Sequence, residues 1–155
     1  MSKIKIPNHK LRQLPPDVEL RFVTSWSDHD LVELYKAGGW WKEHYDPSGL
    51  HALIHGSFAF VVALHKPINT AIGMGRAISD GVSDAYIQDV VVLENWRRKG
   101  IGLNIVKALL DFCLEKNLVW IGLVAEPGTQ WFYKPLGFKI LSGEPMVYQP
   151  EVLDV

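Results

Sequence analysis

Strand-like alternation begins at Val18–Thr24, and the pattern of apolar positions then switches to helical spacing. Ser27 stands where a helix N-cap belongs, with Asp30 three positions on as in a capping box. Leu31, Leu34 and Tyr35 give this helix an apolar face, and Gly38-Gly39 end it. A second short helix is expected over Ser48–His55, after Pro47. Three β-rich runs follow, Ser57–Leu64, Ala71–Ser79 and Ala85–Leu93. Pro67-Ile68-Asn69 and Asp80-Gly81 mark the turns between them, as in a meander. The strongest helical stretch is Gly100–Asn117, where Ile101, Ile105, Ala108, Leu109 and Phe112 recur at helical spacing. Val119–Ala125 reads as a short buried strand and Gly128–Leu136 as a short helix ended by Gly137. Phe138–Leu141 and Met146–Gln149 are expected to close the sheet. Residues 1–17 carry Pro7, Pro15 and Pro16 without periodicity and read as an arm.

This order mixes antiparallel pairing with one β-α-β crossover. It predicts an α+β fold: a mixed central sheet of about seven strands with helices on both faces. No repeat, linker or second domain interrupts it, so residues 1–155 are expected to form one domain. Apolar residues make up 48% and charged residues 21%, an ordinary globular balance. The longest apolar stretches, Phe58–Leu64 and Val90–Leu93, are too short to span a bilayer, so no membrane role is expected. The first residues lack the apolar core of a signal peptide, and a cytoplasmic address is expected. Cys113, the single cysteine, lies in the strongest helix and reads as a buried structural thiol in preference to a nucleophile.

Sixteen basic residues against seventeen acidic ones leave a formal charge of −1, which argues against a nucleic-acid partner. The only dense basic cluster is Arg97-Arg98-Lys99, suited to one small polyanion. It follows the strand residues Val90-Val91-Val92 and runs through Gly100-Ile101-Gly102 into the long helix. Glycines there let the backbone approach an anion, and the helix's first amides and its positive end favour one. Together these features describe a diphosphate site; the plain alternative is a glycine turn that only starts a helix. A dinucleotide fingerprint needs a third glycine where Ile105 stands, and a P-loop needs Gly-Lys-Ser/Thr where Leu103-Asn104 follow.

The run Arg97-Arg98-Lys99-Gly100-Ile101-Gly102 resembles the acetyl-CoA motif of the GNAT superfamily of N-acetyltransferases, Gln/Arg-x-x-Gly-x-Gly/Ala. Phe132-Tyr133-Lys134-Pro135-Leu136-Gly137-Phe138 is similar to that family's closing Phe-Tyr-x-x-x-Gly-Phe signature. Asp28–Trp41 resembles its first helix and the turn after it. The likeness covers roughly residues 18–149. It implies an enzyme that moves acetyl from acetyl-CoA to the primary amine of a small molecule by direct attack in a ternary complex.

The resemblance also implies roles. Ala85–Leu93 would splay from Val119–Ala125, and pantetheine would enter the gap along Val90, Val91 and Val92 as an extra strand. Backbone groups of Val90 and Val92 would pair with its amides, and those of Arg98–Gly102 would hold the pyrophosphate. An amide near Val92 would stabilise the tetrahedral oxyanion. Tyr133 matches the position that supplies a proton or strong hydrogen bond to the departing thiolate, and its side chain alone would also suit an aromatic core.

An acceptor amine is protonated at neutral pH, so a base or water relay helps. Relatives place a base at positions matching Tyr86 and Gln88, which alternation puts on one face with Val90 and Val92, while Asp89 points the other way. Neither Tyr86 nor Gln88 is a ready base. A relay ending on Glu43, His44 or Glu126 is preferred. Glu126 stands where the family often has Asn, which removes an expected pantetheine hydrogen bond. Trp40-Trp41 follows the first helix, where the family builds its acceptor pocket, and suits an aromatic or cationic amine as well as ordinary packing. His51 and His55 have ligand spacing but no third partner, so no metal site is expected. An acyl-CoA-binding sensor and a protein or peptide acetyltransferase stay open as alternatives, as does a homodimer.

Overall fold

The strand-like start of the chain becomes β1 (Val18–Phe22) in the computed structural model, which describes residues 4–150. Residues 1–3 of the arm and 151–155 lie outside the described residues. The chain divides into two compact units, Met1–Leu123 and Val124–Val155.

The first unit holds α1 (Asp28–Ala37), α2 (Gly49–Gly56), β2 (Ala59–His65), β3 (Thr70–Ser79), β4 (Asp84–Val92), α3 (Ile101–Glu115) and β5 (Trp120–Gly122). The sheet runs β1-β2-β3-β4-β5, antiparallel through β4 and parallel between β4 and β5, where α3 makes the crossover. Ser27 caps α1 by accepting from the Asp30 amide at 3.4 Å. The expected capping box does not form. The buried Asp30 carboxylate turns inward, accepting from Trp26 Nε1 at 2.9 Å and from the Ala71 amide at 3.0 Å, and so ties the helix to β3.

Both faces of the sheet are covered. Leu31, Leu34 and Tyr35 of α1 and Leu50 and Ile54 of α2 pack with Phe60, Val62, Met74 and Val91. On the other face α3 lies close to β3, and the approach needs glycine. A Cβ at Gly75 would sit 2.7 Å from Ile105 Cγ2 and 3.2 Å from Leu109 Cδ1. Cys113 is fully buried within α3, and burial pushes its thiol up to about 11, as expected for a packing thiol.

The described residues form five strands, not about seven. β5 is cut to Trp120–Gly122, because it pairs with β4 only at Asp84, Ala85 and Tyr86. In the second unit the expected helix narrows to α4 (Gln130–Tyr133) and a 3-10 turn, Lys134–Leu136, which Gly137 ends at φ 90°. Phe138–Leu141 and Met146–Gln149 form no strand. A strand requires a partner for its amides and carbonyls. These segments have none among the described residues, and Ile140, Leu141, Met146, Val147 and Tyr148 are exposed. No described helix is long and apolar enough to cross a membrane.

Because Ile105 leaves no room at Gly75, Gly75→Ala should destabilise the protein by about 1–3 kcal/mol through overpacking. Urea denaturation checks this; an unchanged midpoint would mean that α3 can shift freely on β3.

Candidate active site

The basic turn is built by backbone conformation. After β4, Leu93 donates to the Ile72 carbonyl at 2.9 Å, a 3-10 turn spans Glu94–Trp96, and Arg97 donates back to the Glu94 carbonyl at 3.1 Å. Arg98 and Gly100 then take left-handed conformations, φ 61° and 81°, and α3 begins at Ile101. Glycine makes the second of these cheap; the arginine adopts the first at a cost. Asn104 donates the helix's first backbone bond, to the Gly100 carbonyl at 3.2 Å. The amides from Arg98 to Leu103 therefore lack a backbone acceptor among the described residues. They sit at the positive end of a fifteen-residue helix with no acidic residue in its first turn. Arg98 and Lys99 are exposed and form no ion pair among the described residues. The arrangement can hold a diphosphate.

Arg97 works differently from its neighbours. Its Nε donates to the Val92 carbonyl at 2.9 Å and its Nη2 to the Ala37 carbonyl at 3.3 Å, so the guanidinium braces the turn against β4 and α1. Lys99 lies over the Trp96 ring, 5.8 Å from its centre.

Pairing of β4 with β5 ends at Tyr86, and no described strand pairs with that edge of β4 beyond it. Since the Leu93 amide faces β3, strand alternation turns the Val92 and Val90 backbone groups toward the open edge. The Val91 side chain enters the core under α1, while Val90 and Val92 lie toward Gly75 and Gly73 on the α3 side.

This facing departs from simple alternation because β4 carries an extra residue. Met74 pairs with Val91 and Arg76 with Gln88, so two steps on β3 meet three on β4, and Asp89 takes φ 54°. Gln88 opposes Arg76, which opposes Phe60 of the α1-side core, so Gln88 faces α1. Asp89 does not point away from it as expected. Its Oδ2 accepts from Tyr35 Oη at 2.8 Å and from Arg76 Nε at 2.6 Å, on the same α1 side. Burial, then the Asp89 charge, raise the Tyr35 pKa, so this phenol stays protonated and donates. Sequence reasoning passed over Tyr35 as packing and Arg76 altogether. The available signal was an aspartate set among valines in a strand.

In the second unit Tyr133 is half-buried, its ring edge-on to Phe132 at 5.0 Å and to Phe138 at 6.0 Å. Burial, then the charge of Glu126, raise its pKa above 10.0, keeping the phenol neutral. Trp40 is 36% exposed and stands edge-on to Tyr35 at 6.2 Å, whereas Trp41 leans on the core and meets Tyr45 at 5.6 Å. Glu43 and His44 are exposed in the same loop. His51 and His55 stack at 6.3 Å, and no group of three or more metal-ligand side chains exists among the described residues.

The site thus sits on an α+β scaffold, a mixed sheet whose fourth strand runs through a turn of free amides into the long helix. The chain belongs to the Acetyltransferase (GNAT) family, whose profile matches residues 19–138. It is 29% identical over 93 residues to GCN5-related N-acetyltransferase 1, chloroplastic, of Arabidopsis thaliana, covering 60% of this chain and 47% of that protein. It is 31% identical over 111 residues to an N-acetyltransferase designated ycf52 of Pyropia yezoensis, covering 71% and 63%. This chain thus spans about half to two thirds of those relatives' lengths. A solved GNAT-family acetyltransferase of Streptococcus pneumoniae superposes with a TM-score of 0.69 at 25% identity, covering 87% of this chain and 99% of that one.

Arg76→Met should cost about 2–4 kcal/mol, because it leaves the largely buried Asp89 carboxylate with Tyr35 alone. Tyr35→Phe should cost only about 1 kcal/mol, the scale of one hydrogen bond. Urea denaturation of both variants checks the order; equal losses would mean the ion pair does not hold the bulge.

Proposed function

We propose that the protein transfers the acetyl group of acetyl-CoA to the primary amine of a small molecule by direct attack within a ternary complex. The observation that carries this reading is the run of free amides from Arg98 to Leu103 beside the open edge of β4. The amides and the exposed Arg98 and Lys99 would receive the pyrophosphate, and the Val90 and Val92 backbone the pantetheine amides. Arg97 already occupies the Val92 carbonyl, so the Val92 amide is the group left to polarise the thioester carbonyl and bind the oxyanion.

The chemistry then divides in two. The amine must lose a proton, which costs about 4–5 kcal/mol at pH 7 for a lysine-like group. A water relay to a carboxylate or histidine takes it, with Glu43, His44 and Glu126 the candidates. Nitrogen bonds to the acetyl carbon to give the tetrahedral oxyanion. As this collapses the carbon–sulfur bond breaks, Tyr133 donates a hydrogen bond to the leaving sulfur, and the nitrogen passes its extra proton to solvent or to the thiolate as the amide forms. A raised phenol pKa keeps that donor protonated at neutral pH. Trp40, half-exposed beside Tyr35, would give an aromatic or cationic amine a face to stack on.

Acetyl-CoA should raise the melting temperature, and pantetheine without its phosphates should do so far less. Stabilisation by NAD with no response to CoA would overturn the proposal. With an amine panel and free-thiol detection, Tyr133→Phe should turn over about 100-fold more slowly while still binding acetyl-CoA. Unchanged turnover under rate-limiting chemistry would remove Tyr133 from the mechanism. Trp40→Ala should raise the acceptor's KM at least several-fold and leave that of acetyl-CoA nearly unchanged; the reverse pattern would return Trp40 to packing alone.

A further inference from the structure

The N-terminal arm reaches the phosphate turn from far away in sequence. Arg12 Nη1 donates to the Arg98 carbonyl at 2.9 Å, across 86 positions. Asn104 Nδ2 donates to the Arg12 carbonyl at 2.9 Å and to the Gly100 carbonyl at 2.8 Å, so one side chain of α3 holds both arm and turn. The two are also in van der Waals contact: a Cβ at Gly100 would lie 3.2 Å from Arg12 Cβ. The residues so gripped, Arg98 and Gly100, are the two in this turn with left-handed conformations. Arg12 itself is exposed and has no carboxylate partner among the described residues, so its charge is not neutralised.

A left-handed arginine is strained on its own and persists only where its surroundings hold it. Arg12 supplies such a hold by bonding the Arg98 carbonyl, and the Arg98 amide has no backbone acceptor among the described residues. We propose that Arg12 is a positioning residue for the diphosphate site. By pinning the Arg98 carbonyl it presets the turn, and its unneutralised guanidinium adds positive charge there. This rests on reading the turn as the site of the CoA pyrophosphate. Preset amides bind an anion better than amides that must first be ordered. Removing the pin should therefore weaken CoA and leave untouched any ligand that lacks phosphate.

The test uses the full chain, with CoA and pantetheine as probes titrated against wild type, Arg12→Ala and Arg12→Lys. Arg12→Ala should weaken CoA about ten-fold, the scale of one charge-assisted hydrogen bond, with pantetheine affinity unchanged. Arg12→Lys keeps the charge but loses the rigid fork, and should recover less than half of that loss. Unchanged CoA affinity in Arg12→Ala, or an equal loss for CoA and pantetheine, would overturn the proposal, as would full recovery by lysine. Should Arg12→Ala fold poorly, the same ratio of CoA to pantetheine affinity in Arg12→Lys decides. If wild type binds no CoA, the diphosphate reading itself falls.

Discussion

Asp89 occupies a left-handed conformation in the middle of β4, and its carboxylate is held there by Tyr35 and Arg76. An aspartate tolerates this conformation better than most side chains, yet it still needs its surroundings to keep it. The extra residue reverses the in–out order of everything after it. Val91 thereby enters the core under α1, and Val90 and Val92 turn toward α3. Without that reversal Val91 would face α3, and both Val90 and Val92 the α1 core. The bulge lies between the last β4 residue paired with β5, Tyr86, and the stretch that leads into the basic turn. A shared carboxylate thus joins the packing of α1 to the path of the strand on which the proposed chemistry depends.

The turn that follows solves a related problem by other means. Six amides from Arg98 to Leu103 can point outward only if the chain turns sharply before the helix, which the left-handed Arg98 and Gly100 accomplish. Arg97 is tied down at Val92 and Ala37, while Arg98 and Lys99 form no ion pair among the described residues. Neighbouring cations therefore do different work: one fixes the scaffold and two supply charge. The near-neutral whole chain is consistent with this, because its one dense basic run, Arg97-Arg98-Lys99, sits at the start of α3.

Much of this was legible in the residues. The α1 and α3 periodicities, the meander of β2, β3 and β4 and the glycine turn were readable because each follows from a short local pattern. The bulge was not. One inserted residue leaves the nine-residue run of β4 looking regular, and only the cross-strand register of Met74 and Arg76 reveals it. The capping box failed for a similar reason. Asp30 has the right spacing, but the Ala71 amide and the Trp26 indole, both outside the helix, win its carboxylate. The arm's grip on Gly100 depends on Asn104 and Arg12 meeting across the fold, which no local pattern carries. Expectation also overshot at Phe138–Leu141 and Met146–Gln149, where apolar, β-prone residues find no partner strand among the described residues.

The raised pKa of Tyr133 bears on how it would act in the proposed reaction. A thiol of ordinary acidity has a pKa of about 8.5, below that of any unperturbed phenol. Burial and Glu126 push Tyr133 higher still, so full proton transfer from the phenol to the leaving thiolate runs uphill by about 2 kcal/mol or more. As a source of a free proton the residue is therefore poorly matched. As a hydrogen-bond donor it is well matched, since it is neutral throughout the physiological range and its environment opposes its ionisation. Negative charge developing on sulfur strengthens such a bond in the transition state relative to the ground state, and that difference is what accelerates the step. The sulfur's proton can then arrive later from solvent or from the acylated nitrogen, which sheds its extra proton as the amide forms. On this view the charge of Glu126 adds to the burial that opposes ionisation of Tyr133.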